Sequence, residues 1–380
     1  MGKDLTGKSL PSGISQRKDG RFCGRFVNRF GKRRCVYGKT VSEVKRKMAQ
    51  EQANDNRGKG VYDTMTLDEW HRIWMESYVS ELSRATISSY ETEYRIHVRD
   101  ILGWREMDSI RPIDIKGLLA GMAEKGLSQS TIYAVRKILS GMFRAARENE
   151  LVTTNPVSPV KLPKAREEEH LRALTVGEQN LLLSESHRCV YDTFIRAQLS
   201  SGLRCGELAG LDIKDIDFSQ RIIHVRQALS RYSVNNRMVL DLHPPKTKTS
   251  IRSIPMTDMF EQAVKAELKH RPEMSSAYKE RFGGLVFRNS AGNPVTTGAY
   301  NEALKRLVDD INALGGERID HFSSHCLRHT FCTRLIENNV SPKTVQYIMG
   351  HANVSVTMQI YTHVQHDYLK GVGDKIRNLF

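Results

Sequence analysis

The sequence predicts a multidomain protein, mainly α with small β-sheets: an N-terminal three-stranded sheet plus helix, a helical bundle, and a mixed α+β C-terminal domain. Three observations lead there. At 380 residues the chain exceeds what a single hydrophobic core usually organises. Its periodicity changes along its length, from alternation near the start, through helical spacing in the middle, to short strands among helices at the end. Its composition breaks twice, at the Gly- and Asn-rich run NDNRGKG (54–60) and at the Pro- and Glu-bearing run 153–170.

The first 60 residues carry 16 Lys and Arg against 5 Asp and Glu, most of the excess in a chain whose net charge is +15. Within them GRFCGRFVNRF and KRRCVYGKT alternate Arg or Lys with Phe, Cys, Val and Tyr, which is strand periodicity, and Phe30-Gly31-Lys32 supplies the turn. A helix should follow from Thr40 or Ser42 through VKRKMAQEQ. A small sheet with one basic face can enter a DNA groove, so Arg21, Arg25, Arg29, Lys32, Arg33 and Arg34 are candidate DNA contacts. The plainer alternative is a solvated hairpin.

A helical bundle is expected over 61–155. Thr66 and Glu69 form a capping-box pattern ahead of LDEWHRIWMESYV, and periodic segments follow at 86–102, 112–125 and 130–150. The last places Ile132, Val135, Leu139, Met142 and Phe143 on one face. Pro156, Pro159 and Pro163 then forbid continuous helix, so 153–170 reads as an extended linker, with 156–172 separating the bundle from a domain spanning 173–380.

In that last domain Thr175 and Glu178 repeat the capping box, and Arg204 falls near a helix junction. RIIHVRQ and a strand around SIRSIPM bracket a lysine-bearing turn. SPKTVQYIMGHANVSVTMQIYTHV reads as two helices broken at Gly350. In the tail, Tyr368, Leu369, Val372, Ile376 and Leu379 have the spacing of a further short helix.

Dispersed through this domain are Arg204, Lys248, His325, Arg328, His351 and Tyr361. These residue types suffice to break a phosphodiester without a metal or other cofactor. A phosphodiester under attack becomes a doubly charged phosphorane, whose non-bridging oxygens two guanidinium forks can bind. The Tyr361 phenol, with an unperturbed pKa of about 10, needs a base such as His325 to attack near neutral pH. Lys248 can protonate the departing 5′ oxygen, and His351 can hydrogen-bond the phosphate. A phosphotyrosine keeps the ester energy, so a second 5′-OH can reverse the step without ATP.

SGLRCGEL resembles the first arginine box of the tyrosine recombinases, the family of phage lambda integrase, Cre and the Xer resolvases, and SHCLRHTFCTRL resembles its His-x-x-Arg box. MGH, followed ten residues later by the tyrosine of IYTHV, is similar to the family's final segment. The resemblance spans residues 175–380. It implies a mixed α+β catalytic domain preceded by a core-binding domain, and a role for Glu207 in supporting Arg204. It implies action on double-stranded DNA at core and arm sites as a homotetramer, through a Holliday junction, with an excisionase and a host DNA-bending protein as possible partners. The basic N-terminal module resembles the arm-binding domains of lambda-type and conjugative-transposon integrases. An integrase that inserts and excises a mobile element is the expectation.

Plainer roles stand beside these. Arg204 and Glu207 could be a surface ion pair. Lys246 and Arg252 compete with Lys248, which is favoured because Thr-Lys-Thr-Ser followed by Arg-x-Ile-Pro resembles the family's hairpin lysine. Tyr347 and Tyr368 compete with Tyr361, yet lack the Tyr-x-His context. His321, His325 and His329 have metal-compatible spacing, but the cation at Arg328 and the lack of an intervening glutamate oppose a site, so no metal is expected. The tail helix could dock on its own core or, by resemblance, on a neighbouring protomer. A type IB topoisomerase and a non-catalytic DNA-binding protein are the alternative functions.

Composition agrees with a polyanionic partner, the pI being near 9.5. Six cysteines without CxxC pairing suggest reduced thiols. With no signal-peptide core and no apolar run long enough to span a bilayer, a bacterial cytoplasmic, nucleoid-associated location is expected, without a membrane partner.

Overall fold

The structure is a computed structural model that describes residues 4–5, 7–27, 33–56, 65–165, 172–234, 237–245, 248–355, 357–358 and 360. It is mainly helical with small sheets, and divides into two compact units, Met1–Glu168 and Glu169–Phe380.

The first unit begins with β1 (Ile14–Gln16), β2 (Phe22–Val27) and β3 (Arg33–Gly38), an antiparallel sheet in that order, followed by α1 (Val41–Asn56). Val44 and Met48 of α1 press on Gly24 so closely that a Cβ there would collide with both side chains. This contact identifies the covered face. Because directly paired residues share a face, the register Arg25↔Cys35, Phe26↔Arg34 and Val27↔Arg33 distributes the arginines. Arg25 and Arg33 lie on the open face, with Tyr37, over whose ring Arg17 sits at 5.4 Å. Arg34, also exposed, shares the helix-covered side with Phe26, so the strand arginines divide between the two faces. Arg21 precedes β2 and pairs with Asp19 at 3.1 Å. Arg29, Lys32 and the turn at Phe30-Gly31-Lys32 lie outside the described residues.

The bundle comprises α2 (Leu67–Ser77), α3 (Arg84–His97), a π-helical turn (Arg99–Gly103), α4 (Pro112–Glu124) and α5 (Gln129–Glu148). Thr66 caps α2 reciprocally: Glu69 N donates to Thr66 Oγ1 at 3.2 Å, and Thr66 N to Glu69 Oε2 at 2.8 Å. On α5, Ile132, Val135, Leu139, Met142 and Phe143 are all fully buried, each such side chain contributing about 1.5–3 kcal/mol of hydrophobic stabilisation. Trp70 Nε1 donates to the Met142 carbonyl at 2.9 Å, satisfying the indole within that core.

Much of the expected linker is packed rather than free. Residues 152–165 form no helix, as the prolines require, but Val157 and Val160 are buried against the bundle. Arg136 Nε donates to Val160 O at 3.1 Å, Asn155 Nδ2 to Ser140 O at 3.1 Å, and Ala165 N to Gln129 Oε1 at 3.1 Å. Apolar side chains between prolines bury themselves where a purely polar tether would not.

The second unit contains α6 (Val176–Glu185), α7 (Asp192–Ser201), α8 (Cys205–Ala209), β4 (Ile216–Asp217), β5 (Ile222–Val225), β6 (Ala228–Val234), β7 (Arg237–His243), β8 (Arg252–Pro255), α9 (Asp258–His270), α10 (Ser276–Phe282), α11 (Thr297–Ala313), α12 (Ser324–Glu337) and α13 (Pro342–Met349). β5 is central in a sheet of order β4-β5-β8, and β6 and β7 form a two-stranded sheet. That hairpin is absent from the sequence reading because Ser230, Arg231, Ser233 and Asp241 blur its alternation. Phe194, Ile195, Phe260, Phe287, Tyr300 and Leu304 fill the core. After Gly350 the described residues from Val354 to Ile360 are helical, whereas 361–380 lie outside the described residues. Among the described residues no helix is long and apolar enough to cross a membrane.

Candidate active site

The site is built where three segments meet the C-terminal turn of α13. A helix leaves its last carbonyls without internal partners and concentrates negative partial charge there. In this chain three consecutive carbonyls each accept from a different arginine. Arg252 Nε donates to Ile348 O at 2.7 Å, Arg328 Nη2 to Met349 O, and Arg204 Nη2 to Gly350 O at 3.0 Å. Gly350 ends the helix at φ +61°, and a Cβ there would come within 3.0 Å of the Arg252 guanidinium. Glycine is therefore required both by the turn and by the close approach.

All three arginines converge on Glu207, whose side chain is only 3% exposed. α7 stops at left-handed Gly202, and Arg204 enters α8 with extended backbone, its own N–H bonded to Glu207 Oε2 at 3.0 Å. The Arg204 Nη1 then donates to Glu207 Oε1 at 2.7 Å. Arg252 approaches from β8, its Nη1 and Nη2 reaching Oε1 and Oε2 at 3.2 and 3.0 Å. Arg328, on α12, lies 3.9 Å from Oε2 and donates to Gly202 O at 2.7 Å.

Three guanidiniums around one carboxylate leave an excess of positive charge, as a site for a multiply charged anion requires. Burial alone would raise the Glu207 pKa, but the hydrogen bonds and charge of Arg252, with Arg204 and Arg328, hold it at about 2. Burial pushes Arg328 down to about 9, helped by the repulsion of Arg204, and it stays cationic at neutral pH. The Arg204 side chain is the open member at 37% exposed, against 2% for Arg328 and 0% for Arg252.

Two histidines border the cluster. His351 directly follows Gly350, and its Nδ1 lies 2.8 Å from Oγ1 of the buried Thr357. Loss of hydration lowers its pKa to about 3, with Arg328 and Arg204 adding to the effect. His325 is exposed overall on the first turn of α12, yet its imidazole packs edge-on against His329 at 5.1 Å. Loss of hydration lowers its pKa to about 4, followed by His329, Arg328 and Arg204. Both rings are thus neutral at pH 7, the state in which an imidazole can accept a proton.

These shifts carry a prediction. In nitrogen-detected NMR titrations of DNA-free protein, His325 and His351 should remain neutral at pH 6 and protonate near 4 and 3. An unfolded histidine takes its proton at about 6.5, so the unfolded state holds more protons below that value, and stability should decline as pH falls from 6.5 toward 4. Titration of either ring near 6.5 would contradict the electrostatics described.

The structure therefore brings together Arg204, Glu207, Arg328 and His351, with His325 at the margin. Lys248 opens a 3-10 turn, Lys248–Ser250, but its side chain, like Lys246 and Tyr361, lies outside the described residues. Among the rivals, Arg252 is buried and bonded on every side, which rules it out as the proton donor. Tyr347 is 55% exposed and its hydroxyl accepts from Ser253 N at 3.4 Å, while Tyr368 lies outside the described residues. His321 pairs with Asp309 at 3.1 Å, and among the described residues no group of three or more His, Cys, Asp or Glu is arranged to hold a metal ion. Sequence reasoning missed the part played by Arg252 and Thr357. The signal for Arg252 was strand phase, since it shares the inward side of β8 with Ile254.

Residues 167–367 match the phage integrase family, and residues 66–123 match the N-terminal SAM-like domain of phage integrases. The chain belongs to the phage integrase family of tyrosine recombinases. It is thus an enzyme that cleaves and rejoins DNA. The recombinase is 29% identical over 389 residues to the transposase from transposon Tn916 of Enterococcus faecalis, covering 96% of this chain and 94% of the relative. It is 28% identical over 353 residues to a XerC-like tyrosine recombinase of Caldanaerobacter subterraneus subsp. tengcongensis, covering 87% and 88%. Among solved structures, the Tn1549 transposon integrase in complex with a circular intermediate DNA superposes with a TM-score of 0.69 at 30% identity, over 78% of this chain and 95% of that one. A lambda integrase tetramer bound to a Holliday junction shares the fold, with a TM-score of 0.54 at 20% identity over 91% and 97%.

Proposed function

We propose that this recombinase excises and inserts a mobile element of the Tn916 and Tn1549 kind, acting on the element's ends and on its circular intermediate. The observation that carries this reading is the excess of guanidinium charge around Glu207, bordered by two neutral histidines, in a chain similar over nearly its full length to the transposase from transposon Tn916. Arg204 and Arg328 bind the non-bridging oxygens of the scissile phosphate, and Glu207 holds their forks in register. Tyr361 attacks phosphorus and His325 takes its proton. Lys248 protonates the leaving 5′ oxygen, and His351 donates to the phosphate. The product is a 3′-phosphotyrosine that a second strand's 5′-OH resolves, giving a Holliday junction and then recombinants. No metal or nucleotide enters this scheme.

Residues 1–60 form the arm-binding domain, 61–155 the core-binding domain, 156–172 the connection and 173–380 the catalytic domain with its tail helix. Arg25 and Arg33, on the open sheet face, are the foremost arm contacts, with Arg21, Arg29, Lys32 and Arg34 contributing further phosphate contacts. The working form is a homotetramer on paired sites in the bacterial cytoplasm, at the nucleoid, with the tail docking on a neighbouring protomer. An excisionase and a DNA-bending protein set direction.

Deleting residues 1–60 should leave cleavage of an isolated core site within about threefold while cutting recombination of full sites by on the order of tenfold or more. Plasmid recombination assayed beside suicide-substrate cleavage measures both. Full-site recombination unchanged by the deletion would refute the arm assignment, and relaxation of plasmids lacking any site would favour a topoisomerase.

A further inference from the structure

The Arg252 side chain is fully buried, and each of its three guanidinium nitrogens already donates to a protein acceptor. Its fork joins three parts of the site. It donates to Glu207 through Nη1 and Nη2, to Ile348 O through Nε at 2.7 Å, and to Ser250 O through Nη1 at 3.0 Å. Ser250 closes the single 3-10 turn that Lys248 opens. Such a turn is short and weakly self-stabilised. Its Ser250 end is buried, while the apolar residue beside it, Ile251, is 53% exposed. A buried ion pair is a poor way to gain net stability, often no better than apolar packing. What a planar fork supplies, and neither lysine nor an apolar residue can, is direction: it fixes the turn relative to the carboxylate and the end of α13, which are themselves also held by Arg204 and Arg328.

We propose that Arg252 is a positioning residue for strand cleavage, holding the turn that carries Lys248 against the arginine–glutamate cluster so that the leaving 5′ oxygen meets its proton donor. The proposal rests on the functional reading above, in which Lys248 is that donor. In the step concerned, the bond from Tyr361 Oη to phosphorus forms and the bond from phosphorus to the 5′ oxygen breaks. The phenolic proton passes to His325, and the Lys248 ammonium gives its proton to the 5′ oxygen. A misplaced turn should therefore slow departure of the 5′ oxygen while leaving attack and DNA binding intact.

Sulfur at the 5′ bridging position separates these effects, because a thiolate leaves without a proton. The full chain and its variants would be given nicked suicide duplexes, made from the element's joined ends, with bridging oxygen or sulfur. Arg252→Lys is expected to cut the oxygen substrate on the order of ten- to hundredfold more slowly, and the sulfur substrate within about threefold of wild type. Core-site affinity and the fraction of active molecules should be retained. Lys248→Met should show the same rescue. A merely structural role would lower the active fraction or slow both substrates alike, and either result overturns the proposal. Should Arg252→Lys fail to fold, Arg252→Gln decides, and failure of both to fold also overturns it. If Lys248→Met is not rescued by sulfur, the donor is another group and the proposal falls with that assignment. If Lys248→Met is rescued and Arg252→Lys is not, Arg252 alone has been misread. Absence of any wild-type adduct would refute the functional reading itself.

Discussion

Tyr361→Phe is expected to abolish covalent adduct formation, lowering the cleavage rate by roughly 10⁴-fold or more, while core-site affinity stays within about twofold. The substitution removes one oxygen and almost no volume, so the groups that recognise DNA should be unaffected. The arginine cluster would still bind phosphate, and His325 would still be neutral, but no nucleophile would remain to form the ester. Tyr347→Phe should by contrast leave cleavage intact. Residual adduct in Tyr361→Phe, lost in a Tyr347 or Tyr368 variant, would reassign the nucleophile.

Glu207→Gln should have the largest effect on stability. The carboxylate compensates three guanidiniums, two of them buried, and an isosteric amide keeps its shape while removing its charge. Breaking a buried ion pair by neutralising one partner typically costs about 3–5 kcal/mol. The loss should appear as a lowered unfolding transition of the C-terminal unit, accompanied by loss of cleavage as Arg204 and Arg328 lose their alignment. Linkage gives the same group a pH signature. Its folded pKa of about 2 lies below the ordinary 4.5, so the unfolded state binds more protons between those values. The Glu207 contribution is complete above pH 4.5 and is lost as pH falls toward 2. Glu207→Gln should flatten this part of the acid-stability profile. A change below about 1 kcal/mol would mean that the arginines do not depend on the carboxylate.

Much of this was legible in the sequence where one local rule acts alone. The capping boxes at Thr66 and Thr175 announce α2 and α6, and the apolar face of α5 follows from its spacing. The resemblance located Arg204, Glu207, Arg328 and His351 within ordered motifs, and the structure sets both arginines against the Glu207 carboxylate with His351 just beyond the end of α13. What could not be read depends on contacts between distant segments. Arg252 looked like one more cation in a basic run, because its burial depends on strand phase and on carbonyls some 96 residues away. The β6–β7 hairpin has polar residues on both faces, which erases alternation. Val157 and Val160 escaped notice because prolines signal what a segment cannot form, not where its apolar side chains go.

The most direct test of metal-independent tyrosine chemistry at this cluster is to trap the wild-type recombinase on a nicked suicide duplex in EDTA, digest the adduct, and locate the nucleotide-bearing peptide by mass spectrometry. The expected result is an SDS-resistant adduct whose 3′-phosphate is carried by Tyr361. An adduct that forms only when a divalent cation is restored, or one carried by another residue, would contradict it.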